Sequence, residues 1–160
     1  NPANPEIQRN QTAREILAQV DGPIHGFCSG IGTGGTITGI GEVLKEANPD
    51  IEIWAVEPEN AAILSGGSIG THLQMGIGDG IIPANLDQEI YEKICVITDK
   101  EAIETSKRLA RDEGLMCGIS SGTNVAAAVK LARVLGEGKR VVTILPDTGE
   151  RYFSTELFDK

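Results

Sequence analysis

A run of small residues between an apolar segment and a helical pattern carries the strongest chemical signal in the sequence. Residues 30–36 (GIGTGGT) follow the apolar residues 24–28. Closely spaced glycines let several peptide N–H groups turn towards one point, and the start of a helix adds partial positive charge there. Thr33 and Thr36 add two hydroxyl donors. The run therefore predicts a phosphate site, with an ordinary strand-to-helix turn as the alternative.

Two nucleotide-binding patterns can be compared with this run. No lysine follows the glycines, so the Gly-Lys-Ser/Thr ending of the nucleotide P-loop is absent. Glu57, at the end of the next predicted strand, takes the place of the ribose-binding acid that follows a dinucleotide loop by about 20 residues. A Rossmann-type dinucleotide site is therefore a competing hypothesis.

A second motif of small residues, GISSG at 118–122, precedes an alanine-rich segment. Serine is a favoured helix N-cap, and one capping bond contributes about 1 kcal/mol. We therefore expect Ser120 or Ser121 to cap a helix. Because one cap needs only one hydroxyl, the other serine is available to a ligand.

Apolar periodicity and turn residues predict the elements that would position these motifs. Predicted helices cover residues 5–19, 37–48, 99–114 and the segment that Ser120 or Ser121 begins, with Asp99 as the cap of the third. Predicted strands cover residues 24–28, 51–56, 93–98 and 140–145, and residues 57–88 form a loop-rich region. In the last helix, the residues predicted to face inward are Val125, Ala128, Val129, Ala132 and Leu135.

Because strands alternate with helices, the sequence predicts an α/β fold in which helices flank a mainly parallel sheet in three layers. Residues 1–160 are interpreted as a single domain of this kind.

Composition and charge exclude several classes of partner. The 160 residues contain 14 Lys and Arg against 23 Asp and Glu, a formal net charge of −9. Without a cationic stripe, we expect binding neither to nucleic acid nor to a membrane. Cys28, Cys95 and Cys117 are odd in number, and the cysteines and histidines lack zinc-binding spacing. We expect free buried thiols, a reducing cytoplasm and no metal.

Five motifs together resemble the C-terminal half of the cysteine synthases (O-acetylserine sulfhydrylases), which are fold-type II pyridoxal-phosphate enzymes. These motifs are NPANP at 1–5, GTGGT at 32–36, GIGDGIIP at 76–83, GISSG at 118–122, and GERY at 149–152 followed by Ser154 and Thr155. The resemblance covers essentially the whole chain. It implies that residues 1–160 are the C-terminal part of a longer two-domain enzyme.

The resemblance also implies roles for individual residues. The family's phosphate loop corresponds to Gly32, Thr33, Gly34, Gly35 and Thr36. Ser120 corresponds to the partner of the pyridine nitrogen, and Gly78 to the substrate-facing position at the mouth of the site. A neutral hydroxyl partner leaves the ring nitrogen largely unprotonated, which suits β-elimination better than transamination. Arg151 and Tyr152 are expected to be structural.

The implied reaction of the complete enzyme is β-replacement of O-acetyl-L-serine by sulfide, giving L-cysteine and acetate. In the family, the lysine that anchors the cofactor covalently and the loop that binds the substrate carboxylate lie in the N-terminal half. Neither motif occurs in this sequence. We therefore assign no catalytic residue to this chain, and expect it to be inactive in isolation.

Several alternatives stay open. Cystathionine β-synthase or an O-phosphoserine-using relative is the alternative within the family. A hypothesis from a different functional class is that the isolated chain is a non-catalytic domain. Such a domain would bind phosphate ligands or the C-terminal tail of serine acetyltransferase, a partner that the resemblance implies. For the complete enzyme, the resemblance implies a cytoplasmic homodimer.

Overall fold

A four-stranded parallel sheet forms the centre of the molecule. The structure is a computed structural model, and it describes residues 1–155, 157 and 158. The strands are β1 (Gly26–Gly30), β2 (Glu52–Pro58), β3 (Lys93–Ile97) and β4 (Val141–Thr143). Their order across the sheet is β3-β2-β1-β4, and every neighbouring pair is parallel. The carboxyl ends of all four strands therefore lie along one edge.

Helices cover both faces of this sheet. The helices are α1 (Ala3–Ile7), α2 (Ala13–Gln19), α3 (Gly35–Ala47), α4 (Asp99–Glu113) and α5 (Ile119–Leu135). Phe27 and Ile53 pack in one core with α2 and α3, whereas the adjacent Cys28 and Trp54 pack in a second core with α4 and α5. This alternation follows from the twofold periodicity of a strand. The predicted three-layer α/β fold is confirmed.

The short elements and strand ends differ in detail from the predictions. The N-terminal helical region begins at Ala3 and contains a π-helical turn, Gln8–Thr12, between α1 and α2. The β-strands begin or end one to two residues away from the predicted positions, as expected where only periodicity sets the boundary. The loop-rich region after β2 contains one short 3-10 helix, Glu59–Ala61. A second short 3-10 helix, Gly149–Tyr152, follows β4.

The predicted helix caps were wrong for α4 and α5. Thr98, not Asp99, caps α4, because its hydroxyl accepts from the Glu101 N–H at 3.1 Å while the Glu101 carboxylate accepts from the Thr98 N–H at 3.0 Å. Gly118 occupies the N-cap position of α5 without a side-chain cap. Ser120 and Ser121 instead lie buried inside its first turn.

The inward face of α5 was predicted only in part. Ala128 and Leu135 pack on the core as expected, but the side chain of Val129 is 44% exposed. After Asn124, the buried residues of this helix are Ala127 and Leu131 instead. An alanine-rich sequence gives little contrast between faces, so periodicity alone does not fix the rotation of this helix.

We predict that Leu131→Ala destabilises the protein by about 2–5 kcal/mol, because Leu131 is fully buried and its removal leaves a cavity. Val134, three residues later in α5, is 66% exposed and provides the matched control. Val134→Ala should change the free energy of unfolding by less than about 0.5 kcal/mol. Urea unfolding followed by circular dichroism measures both. Equal losses for the two variants would contradict the placement of α5.

Candidate functional site

The loop between β1 and α3 presents peptide N–H groups that have no protein partner. Gly34 occupies the N-cap position of α3 with φ at +80°, a left-handed conformation that favours glycine. Among residues 1–155, 157 and 158, the N–H groups of Gly32, Thr33, Gly34 and Thr36 make no hydrogen bond. These donors gather at the N-terminus of a 13-residue helix, where the helix dipole also favours an anion.

Close packing by other segments leaves no room for side chains at the glycines of this loop. A Cβ atom on Gly32 would lie 2.5 Å from the carbonyl oxygen of Gly76, and one on Gly34 would lie 2.7 Å from Cβ of Leu86. Asn4, from the N-terminal region, accepts from the Thr33 hydroxyl at 3.3 Å. Gly32 is therefore required by space, and Gly34 by space as well as by backbone conformation.

Gly78 lies beside this loop. Its N–H donates to the carbonyl oxygen of Ile31 at 2.9 Å, so the segment around Gly78 is attached directly to the residue preceding the glycine run. Its carbonyl oxygen lies 3.1 Å from Nε2 of His72. The structure thus brings together two motifs, GTGGT and GIGDGIIP, that are more than 40 residues apart in the sequence.

The second turn of α5 reaches the same edge of the sheet through Asn124. The Gly30 N–H donates to Asn124 Oδ1 at 2.7 Å, and Asn124 Nδ2 donates to the carbonyl oxygen of Ile144 at 2.8 Å. This one amide therefore joins the end of β1 to the segment after β4. Asn124 lies one helical turn after Ser120, so the bridge fixes where Ser120 stands relative to the glycine loop.

The segment after β4 closes over the start of α5. The Gly118 N–H donates to the carbonyl oxygen of Asp147 at 3.3 Å, and the Tyr152 hydroxyl donates to Asp147 Oδ2 at 2.5 Å. Burial, followed by the neighbouring Asp147 carboxylate, raises the pKa of Tyr152 from 10.0 to about 12. Through these contacts Tyr152 joins the 3-10 helix after β4 to Asp147, and its structural role stays a prediction.

Two buried oxygen atoms beside these contacts, Ser121 Oγ and Asp147 Oδ1, have no hydrogen-bond partner among the described residues. Unpartnered buried polar atoms are rare in folded proteins. Here both belong to segments that meet at the start of α5.

Glu57 does not occupy the position that a dinucleotide site would need. Its side chain is only 3% exposed, and both carboxylate oxygens accept from the following loop. The Ser65 N–H and hydroxyl donate to Oε1, and the Leu64 N–H donates to Oε2 at 2.9 Å. The interpretation of Glu57 as a ribose-binding acid was wrong, because this carboxylate instead holds the chain after β2.

The cysteines are buried, as the sequence predicted, and none forms a disulfide within the described chain. Burial raises the pKa of Cys28 from 9.0 to about 12, so its thiol stays protonated at neutral pH. Burial also raises the pKa of Cys95 and of Cys117. These thiols therefore have a packing role. No grouping of His, Cys, Asp and Glu suited to a metal ion occurs among the described residues.

Residues 1–147 match the family described as pyridoxal-phosphate dependent enzymes. The chain belongs to this family. Its relatives include the cysteine synthase of Staphylococcus aureus, which is 50% identical over 159 residues covering 99% of this chain and 51% of the relative. The chain thus spans about half the length of the curated relatives it matches.

Two solved structures extend this comparison. The chain matches the crystal structure of a cysteine synthase from Entamoeba histolytica with 40% identity and a TM-score of 0.94, over 100% of this chain and 48% of that one. It matches an O-acetylserine dependent cystathionine β-synthase from Helicobacter pylori with 40% identity and a TM-score of 0.92, over 99% of this chain and 52% of that one. Pyridoxal phosphate, the predicted cofactor, is the cofactor of the family.

The glycine loop fits the phosphate group of this cofactor. Its donors are peptide N–H groups and the Thr36 hydroxyl, and the run from Gly32 to Thr36 contains no carboxylate that would repel a phosphate. The N–H groups of Gly32, Thr33, Gly34 and Thr36 make no hydrogen bond within the described chain, so they are available to phosphate oxygens.

Several residues that shape the site were missed from the sequence. Asn124 and Gln74 are polar residues whose partners lie far away along the chain, and no local spacing marks them. Asp147 lies in the predicted turn after β4, and aspartate is common in turns, so its presence there indicated no further role. A buried polar residue inside an otherwise apolar helix face, such as Asn124, is the one signal that could have been used.

We predict that Gly34→Ala costs more stability than Gly114→Ala. Both residues have left-handed backbone conformations, with φ angles of +80° and +70°, and this strain alone costs about 1–2 kcal/mol for an alanine. Only at Gly34 does the new methyl group also overlap Leu86, whereas at Gly114 no atom lies within 4 Å of the added Cβ. Overlap should add about 1–3 kcal/mol in urea unfolding. Equal losses would show that Leu86 does not pack on the loop.

Tyr152→Phe should destabilise the protein by about 1–3 kcal/mol at pH 8, because it removes the hydroxyl that donates to the Asp147 carboxylate. Since the pKa of Tyr152 is higher in the folded state, its contribution is complete below pH 10 and is lost as the pH rises through about 12. The difference between wild type and variant should therefore shrink over that interval in thermal unfolding. A difference that does not change with pH would contradict this.

Proposed function

We propose that this chain is the large-domain half of a pyridoxal-phosphate-dependent cysteine synthase, the C-terminal part of a longer two-domain enzyme. The reaction of the complete enzyme is replacement of the acetoxy group of O-acetyl-L-serine by sulfide, giving L-cysteine and acetate. The 50% identity to the cysteine synthase of Staphylococcus aureus supports this assignment. Because the chain spans 51% of that relative, the remaining functions of the enzyme are assigned to its other half.

The observation that carries the proposal is the set of unpartnered N–H groups at the start of α3. In the proposed enzyme, the residues that hold the cofactor phosphate are Gly32, Thr33, Gly34, Gly35 and Thr36. The peptide N–H groups donate to the phosphate oxygens, and the dipole of α3 stabilises their charge. No lysine is needed at this position, because the phosphate is held by backbone donors.

Ser120 and Gly78 complete the part of the site that this chain supplies. The Ser120 hydroxyl binds the pyridine nitrogen and, being neutral, leaves this nitrogen largely unprotonated. Gly78 borders the mouth through which the substrate enters. When bound, pyridoxal phosphate supplies the electron sink for cleavage at the β-carbon of the amino acid. The chain's own contribution is thus to bind and orient the cofactor and to shape the substrate entrance.

The other parts of the function are assigned to the N-terminal half. The anchoring lysine, which also carries a proton, and the loop for the substrate carboxylate are proposed to lie there, so no residue of this chain is catalytic. The complete enzyme is proposed to be a cytoplasmic homodimer whose partner is the C-terminal tail of serine acetyltransferase. In the part of the chain that the structure describes, no helix has the length and apolar character that crossing a membrane requires.

Cystathionine β-synthase is the second candidate. It is supported by the 40% identity to the Helicobacter pylori enzyme, whose description names O-acetylserine as its substrate. The two candidates share the cofactor-binding half and differ in the nucleophile, which is sulfide in one and homocysteine in the other.

Steady-state assays of the full-length protein with pyridoxal phosphate separate the candidates. We expect kcat/KM to be highest for O-acetylserine with sulfide. It should exceed the values for O-acetylserine with homocysteine, serine with homocysteine and O-phosphoserine with sulfide at least about tenfold, the ratio that about 1.4 kcal/mol of differential binding produces. Preference for any of the other pairs would overturn the substrate assignment. Absence of turnover with every pair would overturn the assignment of the full-length protein as a cysteine synthase.

A further inference from the structure

We propose that Gln74 is a positioning residue that holds the Gly78 segment in place at the substrate entrance by fastening it to α5. This inference rests on the proposed function, because the role of Gly78 at the entrance comes from there. Gln74 is fully buried, with an exposed fraction of 0%, although it lies in the long loop between β2 and β3. A buried side-chain amide in a loop is expected only where its hydrogen bonds are satisfied.

All three strong contacts of the Gln74 amide reach other elements. Its Nε2 donates to the carbonyl oxygen of Ile97 and to Asp99 Oδ1, each at 2.9 Å. Its Oε1 accepts from the Thr123 hydroxyl at 2.9 Å, the shorter of two contacts of that hydroxyl, which also lies 3.2 Å from the carbonyl oxygen of Ile119. The amide thus joins the loop to the end of β3, the start of α4 and the first turns of α5, three residues from Ser120.

A short chain of contacts carries this constraint to Gly78. The Gln74 N–H donates to Nδ1 of His72 at 3.2 Å, and Nε2 of His72 lies 3.1 Å from the carbonyl oxygen of Gly78. With Nδ1 accepting, the proton of the imidazole is assigned to Nε2, which donates to Gly78. Gly78 is in turn bonded through its N–H to Ile31, beside the glycine loop.

The polarity of the network specifies an amide at position 74. Two of its neighbours, Ile97 O and Asp99 Oδ1, are acceptors and the third, the Thr123 hydroxyl, is a donor. Glutamine matches this pattern, whereas glutamate would place an acceptor against two acceptors. A side chain that only filled space would not need such a match, so the arrangement indicates that the loop is held in one defined position.

The experiment compares Thr123→Val with Thr123→Ser in the full-length protein. Valine removes the hydroxyl at nearly constant size and leaves Gln74 Oε1 without its donor, whereas serine keeps the donor. The first readout is amide hydrogen exchange of the peptide covering residues 76–83, measured without substrate. The second is the separate determination of KM and kcat for O-acetylserine.

We expect Thr123→Val to speed exchange of this peptide and to raise KM about tenfold, the effect of about 1.4 kcal/mol on an equilibrium, with kcat changed less than about threefold. Thr123→Ser should resemble wild type in both readouts. Exchange and KM that are equal in the two variants would overturn the proposal, as would faster exchange spread over the whole protein with KM unchanged.

Two further results are informative in their own right. If Thr123→Val does not yield folded protein, His72→Ala interrupts the same chain of contacts at a half-buried residue, and its exchange at residues 76–83 decides the proposal by the same criteria. If wild type shows no turnover of O-acetylserine, the proposed function fails. The hydrogen-exchange comparison then still supports or overturns the positioning role of Gln74.

Discussion

Peptide N–H groups without a partner are the constraint around which the rest of this structure is arranged. A backbone donor must find an acceptor in the protein, in water or in a ligand. In the loop between β1 and α3 and at the start of α3, four such groups make no hydrogen bond within the described chain, while Leu86 and Gly76 pack against the loop glycines. The helix that follows adds its dipole. An anion is the ligand that satisfies both features.

A binding loop of this kind needs firm support, because its donors are useful only when they are fixed before the ligand arrives. The support comes from residues far apart in the sequence. Asn124 joins the end of β1 to the segment after β4, and Gln74 joins the loop after β2 to α4 and α5. The parallel sheet makes this possible, because the carboxyl ends of its strands meet at one edge.

Features set by short segments were predictable from the sequence, whereas side-chain contacts between residues far apart in the sequence were not. The glycine run, the parallel sheet and the burial of the thiols follow from spacing and periodicity within short segments. The predicted N-cap of α5 was wrong. Serine is a favoured capping residue, but the fold buries Ser120 and Ser121 in the first turn of the helix. Asn124 and Gln74 were missed because their partners lie 94 and 49 residues away, beyond the reach of any local pattern.

A crystal structure of the full-length protein with pyridoxal phosphate tests the central claim most directly. We expect the phosphate oxygens to accept hydrogen bonds from the N–H groups between Gly32 and Thr36, at the N–H···O distances of about 2.7–3.2 Å usual in proteins. A phosphate held elsewhere, with these N–H groups bonded only to water or to the protein's other half, would contradict the account.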